Sequence, residues 1–335
     1  MNRNAQKRIL DLITEKSQIK PHDLKNILGI STVSIHKHLK KLLDAKKIIR
    51  HGKPPLVFYT LNTSVGSETL ETIETGKIAQ PDQQVINQNF IYFTPEGEFF
   101  SGVPAFIHWV QHTGQKTHLE FLAREFVQIR QKADQFFDPN HAFIKALFKL
   151  RQTFPETFLD ELFYQDFYSL PKFGRTILGH KVLHAKQSQN LPLIQELATF
   201  CRPTILNIIG HYHVNYIGWI PHSIPRKIPF LKAFKEFLKL DYPAINIVKA
   251  YAGEIPIAQK SLSKLEERIE NAQKTFFINN PPQQVDNLLL LDDALGSGAT
   301  LNEVARKIRH LINPKKIYGY VICGSYKGFE VIREV

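Results

Sequence analysis

Cysteine is nearly missing from this chain: 335 residues carry only Cys201 and Cys323. Two cysteines give no disulfide framework and cannot build a Cys-rich zinc ribbon. No apolar run approaches the roughly 18 residues of a membrane span, so no membrane partner is expected. The Asn-, Gln- and Lys-rich start lacks the apolar core of a signal peptide, and the expected compartment is the cytoplasm. Negative charge is also in short supply, with 31 Asp plus Glu against 43 Lys plus Arg and a formal net charge of +12. The excess is concentrated: residues 1–53 hold 13 Lys plus Arg against Asp11, Glu15, Asp23 and Asp44, a balance of +9, which leaves +3 for everything else. Such asymmetry suggests an N-terminal module for a polyanion, the plainer alternative being a solvated basic face. A hydrophobic content of 43% over this length suffices for two domains with cores of their own.

The most informative segment runs from 288 to 300, Leu-Leu-Leu-Leu-Asp-Asp-Ala-Leu-Gly-Ser-Gly-Ala-Thr. Leu288 to Leu291 read as a buried parallel strand, because an exposed strand would alternate. Leu301, Val304, Ile308 and Leu311 recur at helical spacing and place Gly296 to Thr300 at a helix N-terminus. Free backbone N–H groups and the positive dipole end favour a phosphate there, and the glycines let the backbone curl around it. Asp292 and Asp293 fall at the strand's carboxyl end, the ligand edge of an open α/β sheet, where they can accept hydrogen bonds from vicinal ribose hydroxyls. An ordinary strand, Gly-rich turn and helix is the plainer alternative.

This order of strand, acid pair, Gly-Ser-Gly-Ala-Thr and amphipathic helix resembles the signature of type I phosphoribosyltransferases, with Ser297 where many members have Thr. The resemblance implies binding of phosphoribosyl pyrophosphate (PRPP), accompanied by Mg2+. It places Asp292 and Asp293 at the reacting sugar and Ala294, Leu295, Gly296, Ser297, Gly298, Ala299 and Thr300 around the 5′-phosphate. From about residue 168 the chain resembles the ComF-like branch. Leu178 to Lys186 is similar to that branch's opening segment, Asn215 to Ile220 to its first core strand, and Ile245 to Ala250 to its second. Pro221 to Arg226 falls where the pyrophosphate loop belongs, although the branch's Arg-Gly-Phe-Asn run is missing. Arg226, Lys227 and Lys249 are thereby implied as cations for pyrophosphate. Gln259 with Leu262, and Arg268 with Asn271, match the Gln-x-x-Leu and Arg-x-x-Asn patterns of the hood segment.

At the N-terminus, Ile9, Leu10 and Ile13 suit one helix, and Pro21 can open a second that carries Leu24, Ile27 and Leu28 and ends at Gly29. Ser31 is a good N-cap for a third, with Ile35, Leu39, Leu42 and Leu43 inward and Thr32, Ser34, His36, Lys37, Lys40 and Lys41 largely outside. Ile48 to His51 and Leu56 to Leu61 read as two strands around Gly52-Lys53-Pro54-Pro55. Leu28 to Leu42 with this hairpin resembles bacterial winged-helix repressors. That resemblance implies a helix-turn-helix binding duplex DNA, with Thr32, Ser34, His36 and Lys37 at base edges and Lys40, Arg50 and Lys53 on phosphates. Protein contact is the alternative use of such a module.

The expected organisation is a winged helix-turn-helix over 1–62, a linker over 63–90, a mainly helical connector over 91–165, and an α/β domain over 166–335 with a parallel sheet covered by helices on both faces. Within the connector, Thr117 to Glu120 has capping-box spacing, and Phe143, Leu147 and Leu150 suggest a helix. His211 and His213 would share one strand face, with a structural role expected. Trp109 and Trp219 read as packing residues, and Lys181 and Lys186 as solvated. The architecture resembles purine-operon repressors, which implies a homodimeric transcriptional regulator that senses PRPP or a nucleotide. The alternative is an active transferase moving ribose 5-phosphate to a nucleobase or related acceptor.

Overall fold

The computed structural model describes residues 2–62, 78–95, 97–113, 118–139, 143–222, 226–253 and 262–326. The chain divides into two compact units, Met1–Ala79 and Gln80–Val335.

The first unit has three helices and a hairpin: α1 (Asn2–Lys16), α2 (Pro21–Leu28), α3 (Thr32–Asp44), β1 (Ile48–Lys53) and β2 (Leu56–Leu61). Pro21 sits in the first turn of α2, where its missing N–H has no helical partner to lose. Gly29 ends that helix at φ 65°, and its N–H donates to the Lys25 carbonyl at 3.0 Å. Ser31 Oγ accepts from the Ser34 N–H at 3.2 Å and starts α3. β1 and β2 pair antiparallel from Ile48↔Leu61 to Lys53↔Leu56, and Ile19 bridges Tyr59 on the hairpin's other side. One core joins these pieces: Ile9, Ile13, Leu24, Ile35, Leu39, Leu42, Ile48 and Tyr59 are buried together.

The second unit opens with α4 (Gln80–Asn89), the hairpin β3 (Ile91–Phe93) and β4 (Phe99–Ser101), then α5 (Gly102–His112) and α6 (Leu119–Asp134). Phe90, Phe106, Trp109, Phe126 and Phe173 lock this layer through edge and tilted ring contacts 5.1–6.0 Å apart. There follow β5 (Ile144–Lys145), α7 (Leu147–Thr153), β6 (Glu161–Phe167), the short hairpin β7 (Ser169–Leu170) and β8 (Gly174–Arg175), α8 (Ile177–Ser188), α9 (Leu191–His211), β9 (Tyr216–Trp219) and α10 (Phe230–Leu238). The unit continues through β10 (Ala244–Lys249), α11 (Leu265–Thr275), β11 (Phe276–Asn279), β12 (Asn287–Leu295), α12 (Ala299–Leu311) and β13 (Lys316–Gly324).

Seven strands form one sheet in the order β11-β10-β9-β12-β13-β6-β5. The inner five run parallel, and β11 and β5 close the edges antiparallel. Leu288 to Leu291 are at most 1% exposed, which is why β12 reads as an unbroken apolar run. Leu289 and Leu291 face a core shared with α8, α9 and α10. The opposite face lies against α12: a Cβ on Gly319 would come within 3.4 Å of Leu301 Cδ2. No helix among the described residues is long and apolar enough to cross a membrane.

Several expectations are corrected. Of the expected linker 63–90, residues 63–77 lie outside the described residues, but 80–89 are helical and Ile86 is fully buried. Val85 and Ile86 are that helix's only apolar residues, too few to set a period. The expected connector 91–165 contains two strands of the main sheet, and a domain start at 166 would cut through β6. Phe143 precedes β5 instead of entering a helix. Thr117 lies outside the described residues, and α6 starts after His118 without a side-chain cap bond. His211 ends α9 and His213 sits in a turn at φ 50°, so they share no strand face. On α12, Leu301, Val304 and Ile308 are buried as expected, but Leu311, the helix's last residue, is 58% exposed.

Candidate functional site

The site begins with strand order. β12 lies between β9 and β13, both parallel to it, so the carboxyl ends of three strands converge around Asp292 and Asp293. The strand continues through the acid pair to Leu295, beyond the expected stop at Leu291. Asp292 Oδ1 accepts from the Asp293 N–H at 2.8 Å. Burial pushes the Asp292 carboxyl well above the ordinary carboxylate range and the neighbouring Asp293 charge adds to it, while the Asp293 N–H, Lys186 and Lys249 pull the other way. Asp293 Oδ1 meets Lys186 Nζ at 2.9 Å, with both side chains largely enclosed at 18% and 13% exposure.

Past Leu295 the chain turns sharply into α12. Gly298 is the residue before the helix and lies at φ 82°, a conformation that favours glycine. A Cβ there would also fall 2.2 Å from Leu150 Cδ2 of α7. Ser297 Oγ accepts from the Ala299 N–H at 3.3 Å, and the Asn302 N–H donates to the Gly298 carbonyl at 2.9 Å. Ser297, Gly298 and Ala299 are buried, whereas Ala294, Gly296 and Thr300 keep some exposure. The first turn of a helix carries N–H groups without intrahelical acceptors, so this buried turn can hold an anion from the side of Gly296 and Thr300.

The expected cations are distributed unevenly. Lys249 ends β10, two strands from β12, and packs over the Phe276 and Tyr251 rings at 4.6 and 5.3 Å. Its burial lowers the ammonium pKa to about 8, although the Asp292 carboxylate favours its charged form. Arg226 Nη1 donates to the Lys186 carbonyl in the last turn of α8, so part of its guanidinium is spent on a helix end. Lys227 is exposed. Arg268 is 5% exposed and turns onto its own segment, donating from Nε to the Leu262 carbonyl at 2.8 Å. Gln259 lies outside the described residues.

Lys186 is the residue that the sequence reading missed, having been taken as solvated. It follows Val182 by four positions and Leu183 by three, on the buried face of α8, whereas Lys181 is 39% exposed and bridges Glu196. That spacing was the available signal. Tyr168 and Arg175 were missed too: Arg175 Nε donates to Tyr168 Oη at 3.1 Å. Burial raises the Tyr168 pKa, Arg175 lowers it, and the Asp293 charge is close enough to raise it again. Two hydroxyl acceptors, two lysines and a helix N-terminus thus lie along one sheet edge. Trp219 is opposite Leu291 on β9, at that same edge.

In the first unit, Thr32, His36, Lys37, Lys40, Arg50 and Lys53 are exposed and Ser34 is half-buried. The inward side of α3 is formed by Ile35, His38, Leu39 and Leu42. The outward side of α3 thus carries Thr32, His36, Lys37 and Lys40 beside the exposed Val33, and the hairpin carries Arg50 and Lys53.

Fold and edge together define an α/β protein with an acid pair, a glycine turn and a helix N-terminus at the carboxyl end of a parallel sheet. No family model matches the chain, and no curated protein does. Among solved structures, a hypoxanthine phosphoribosyltransferase from Staphylococcus aureus is similar at a TM-score of 0.24 and 10% identity. The match covers 38% of this chain and spans 62% of that one.

Proposed function

We propose that the chain is a DNA-binding transcriptional regulator whose α/β unit binds PRPP or a nucleotide. The observation that carries the ligand half is the junction of Asp292 and Asp293 with the Gly298 turn at the N-terminus of α12. Carboxylates accept from vicinal hydroxyls, the turn takes the phosphate, and Lys249 offers charge to a pyrophosphate group. The DNA half rests on a capped α3 with an outward basic side, followed by a hairpin carrying Arg50 and Lys53. These features support reading the unit as a winged helix-turn-helix, in which Thr32, Ser34, His36 and Lys37 would meet base edges and Lys40, Arg50 and Lys53 would meet phosphates. Two-fold operators need two recognition helices, so the regulator acts as a homodimer.

Mg2+ fits as the ligand's companion. It binds through one or two carboxylates plus phosphate oxygens, and Asp292 and Asp293 are the residues that would meet it. When bound, Mg2+ neutralises pyrophosphate charge.

A second reading is an active phosphoribosyltransferase, which needs the same acid pair and helix-end turn that the regulator needs. Coupling separates the two. A regulator's affinity for duplex DNA, selected from a random library, should change about 5- to 150-fold at saturating PRPP or nucleotide, and DNA should change ligand affinity by the same factor. DNA affinity indifferent to the ligand, together with pyrophosphate release when a nucleobase is supplied, would decide for the transferase.

A further inference from the structure

Among the described residues Val33 is the most exposed large apolar side chain, at 78%. It stands in the first turn of α3, with His36, Lys37 and Lys40 three, four and seven positions on, which places all four on the helix's outward side. The inward side, Ile35, His38, Leu39 and Leu42, is already packed. Nothing in the helix calls for valine here: a β-branched residue is a poorer helix former than alanine, and the cap is made by Ser31. One apolar group thus stands alone on a face otherwise made for a polyanion.

We infer that Val33 is a specificity-determining residue that packs on a pyrimidine C5-methyl group in the major groove of duplex DNA. The inference rests on the reading of residues 1–62 as a DNA-binding module. The charge of the surroundings argues for this occupant, since 13 cations against four anions over residues 1–53 suit a phosphate backbone and repel a basic partner. On the major-groove edge of the four bases the thymine methyl is the one protruding apolar group, the other features being hydrogen-bonding groups and the small C5–H of cytosine. A branched, exposed side chain in the first turn of the inserted helix can pack on that methyl but cannot read a donor or an acceptor. The binding site therefore contains a preferred thymine, for which 5-methylcytosine is a better substitute than uracil on the methyl contact alone.

The test uses the full chain and DNA selected from a random duplex library at low salt. Each selected thymine is replaced singly by uracil, which removes one methyl group and no hydrogen-bonding group, and affinity is read by fluorescence anisotropy. At one position per half-site the loss should be about fourfold, the value of one buried methyl. In Val33→Ala, which replaces an exposed residue by a better helix former and so preserves the fold, the preference for thymine over uracil should shrink, since only the shorter Cβ is left to meet the methyl. A wild-type chain indifferent to uracil at every position, or a Val33→Ala variant that keeps the full preference, would overturn the role of Val33 while leaving DNA binding intact. A chain that retards no duplex even at low salt would overturn the DNA-binding reading, and this inference with it.

Discussion

Gly298 offers the sharpest structural prediction, because two independent constraints meet there. Its φ of 82° is left-handed, which costs an L-residue about 1–2 kcal/mol. Its missing Cβ would lie 2.2 Å from Leu150 Cδ2, and Leu150 is 1% exposed with little room to swing aside. Overpacking of that kind costs about 1–3 kcal/mol. Gly298→Ala should therefore destabilise the second unit by roughly 2–5 kcal/mol. Leu150→Ala alone removes a buried side chain and should cost a similar ~2–5 kcal/mol. Combined, the clash disappears while the backbone strain stays, so the double variant should be about 1–3 kcal/mol more stable than the sum of the singles. Urea melts followed by tryptophan fluorescence measure this cleanly, since Trp109 and Trp219 both belong to residues 80–335. Strict additivity within ~0.5 kcal/mol would mean that α7 does not press on the turn and would refute the packing argument.

Lys249 should make stability depend on alkaline pH. A cation whose folded pKa is lowered from 10.5 to about 8 leaves the unfolded chain holding more protons between those values, so stability should rise as pH climbs from 8 towards 10.5, by up to about 3 kcal/mol. Urea midpoints at pH 8 and pH 10 should differ less in Lys249→Met than in the wild type, and parallel shifts in the two proteins would contradict the assignment. Lys186→Met strands the Asp293 carboxylate in a largely enclosed site and should cost about 1–3 kcal/mol at pH 7, most of it recovered in Lys186→Met/Asp293→Asn. A neutral single variant would show that the ion pair contributes nothing.

What could be read from the sequence was local. Leu288–Leu291, the acid pair, the glycine turn and the helix after it are contiguous, so periodicity and turn chemistry reveal them directly. The same holds for Pro21 and Gly29, which mark helix ends by their backbone preferences, and for Ser31, which does so through its capping side chain. What was missed depends on partners far along the chain. β6 pairs with β13 about 157 residues away (Tyr318↔Glu161), and nothing within Glu161-Leu-Phe-Tyr-Gln-Asp-Phe167 reveals that neighbour. The short strand β5 exists through its pairing with β6, so Phe143 and Ile144 could not be separated from a helix by spacing alone. Lys186 was overlooked for a related reason: its role is set by Asp293, 107 positions on, and a lysine on a helix is ordinarily solvated.

The central claim is that the edge formed by Asp292, Asp293 and the Gly298 turn binds a phosphoribosyl group. Isothermal titration calorimetry of the full chain with PRPP and Mg2+ tests it most directly, in the wild type and in Asp292→Asn/Asp293→Asn, with circular dichroism to establish that both are folded. Saturable binding by the wild type and a loss of tenfold or more in the variant is the expected result, each lost hydrogen bond to a charged acceptor being worth about 1.5–3 kcal/mol. No heat of binding in the wild type, or equal affinity in the two proteins, would contradict the account.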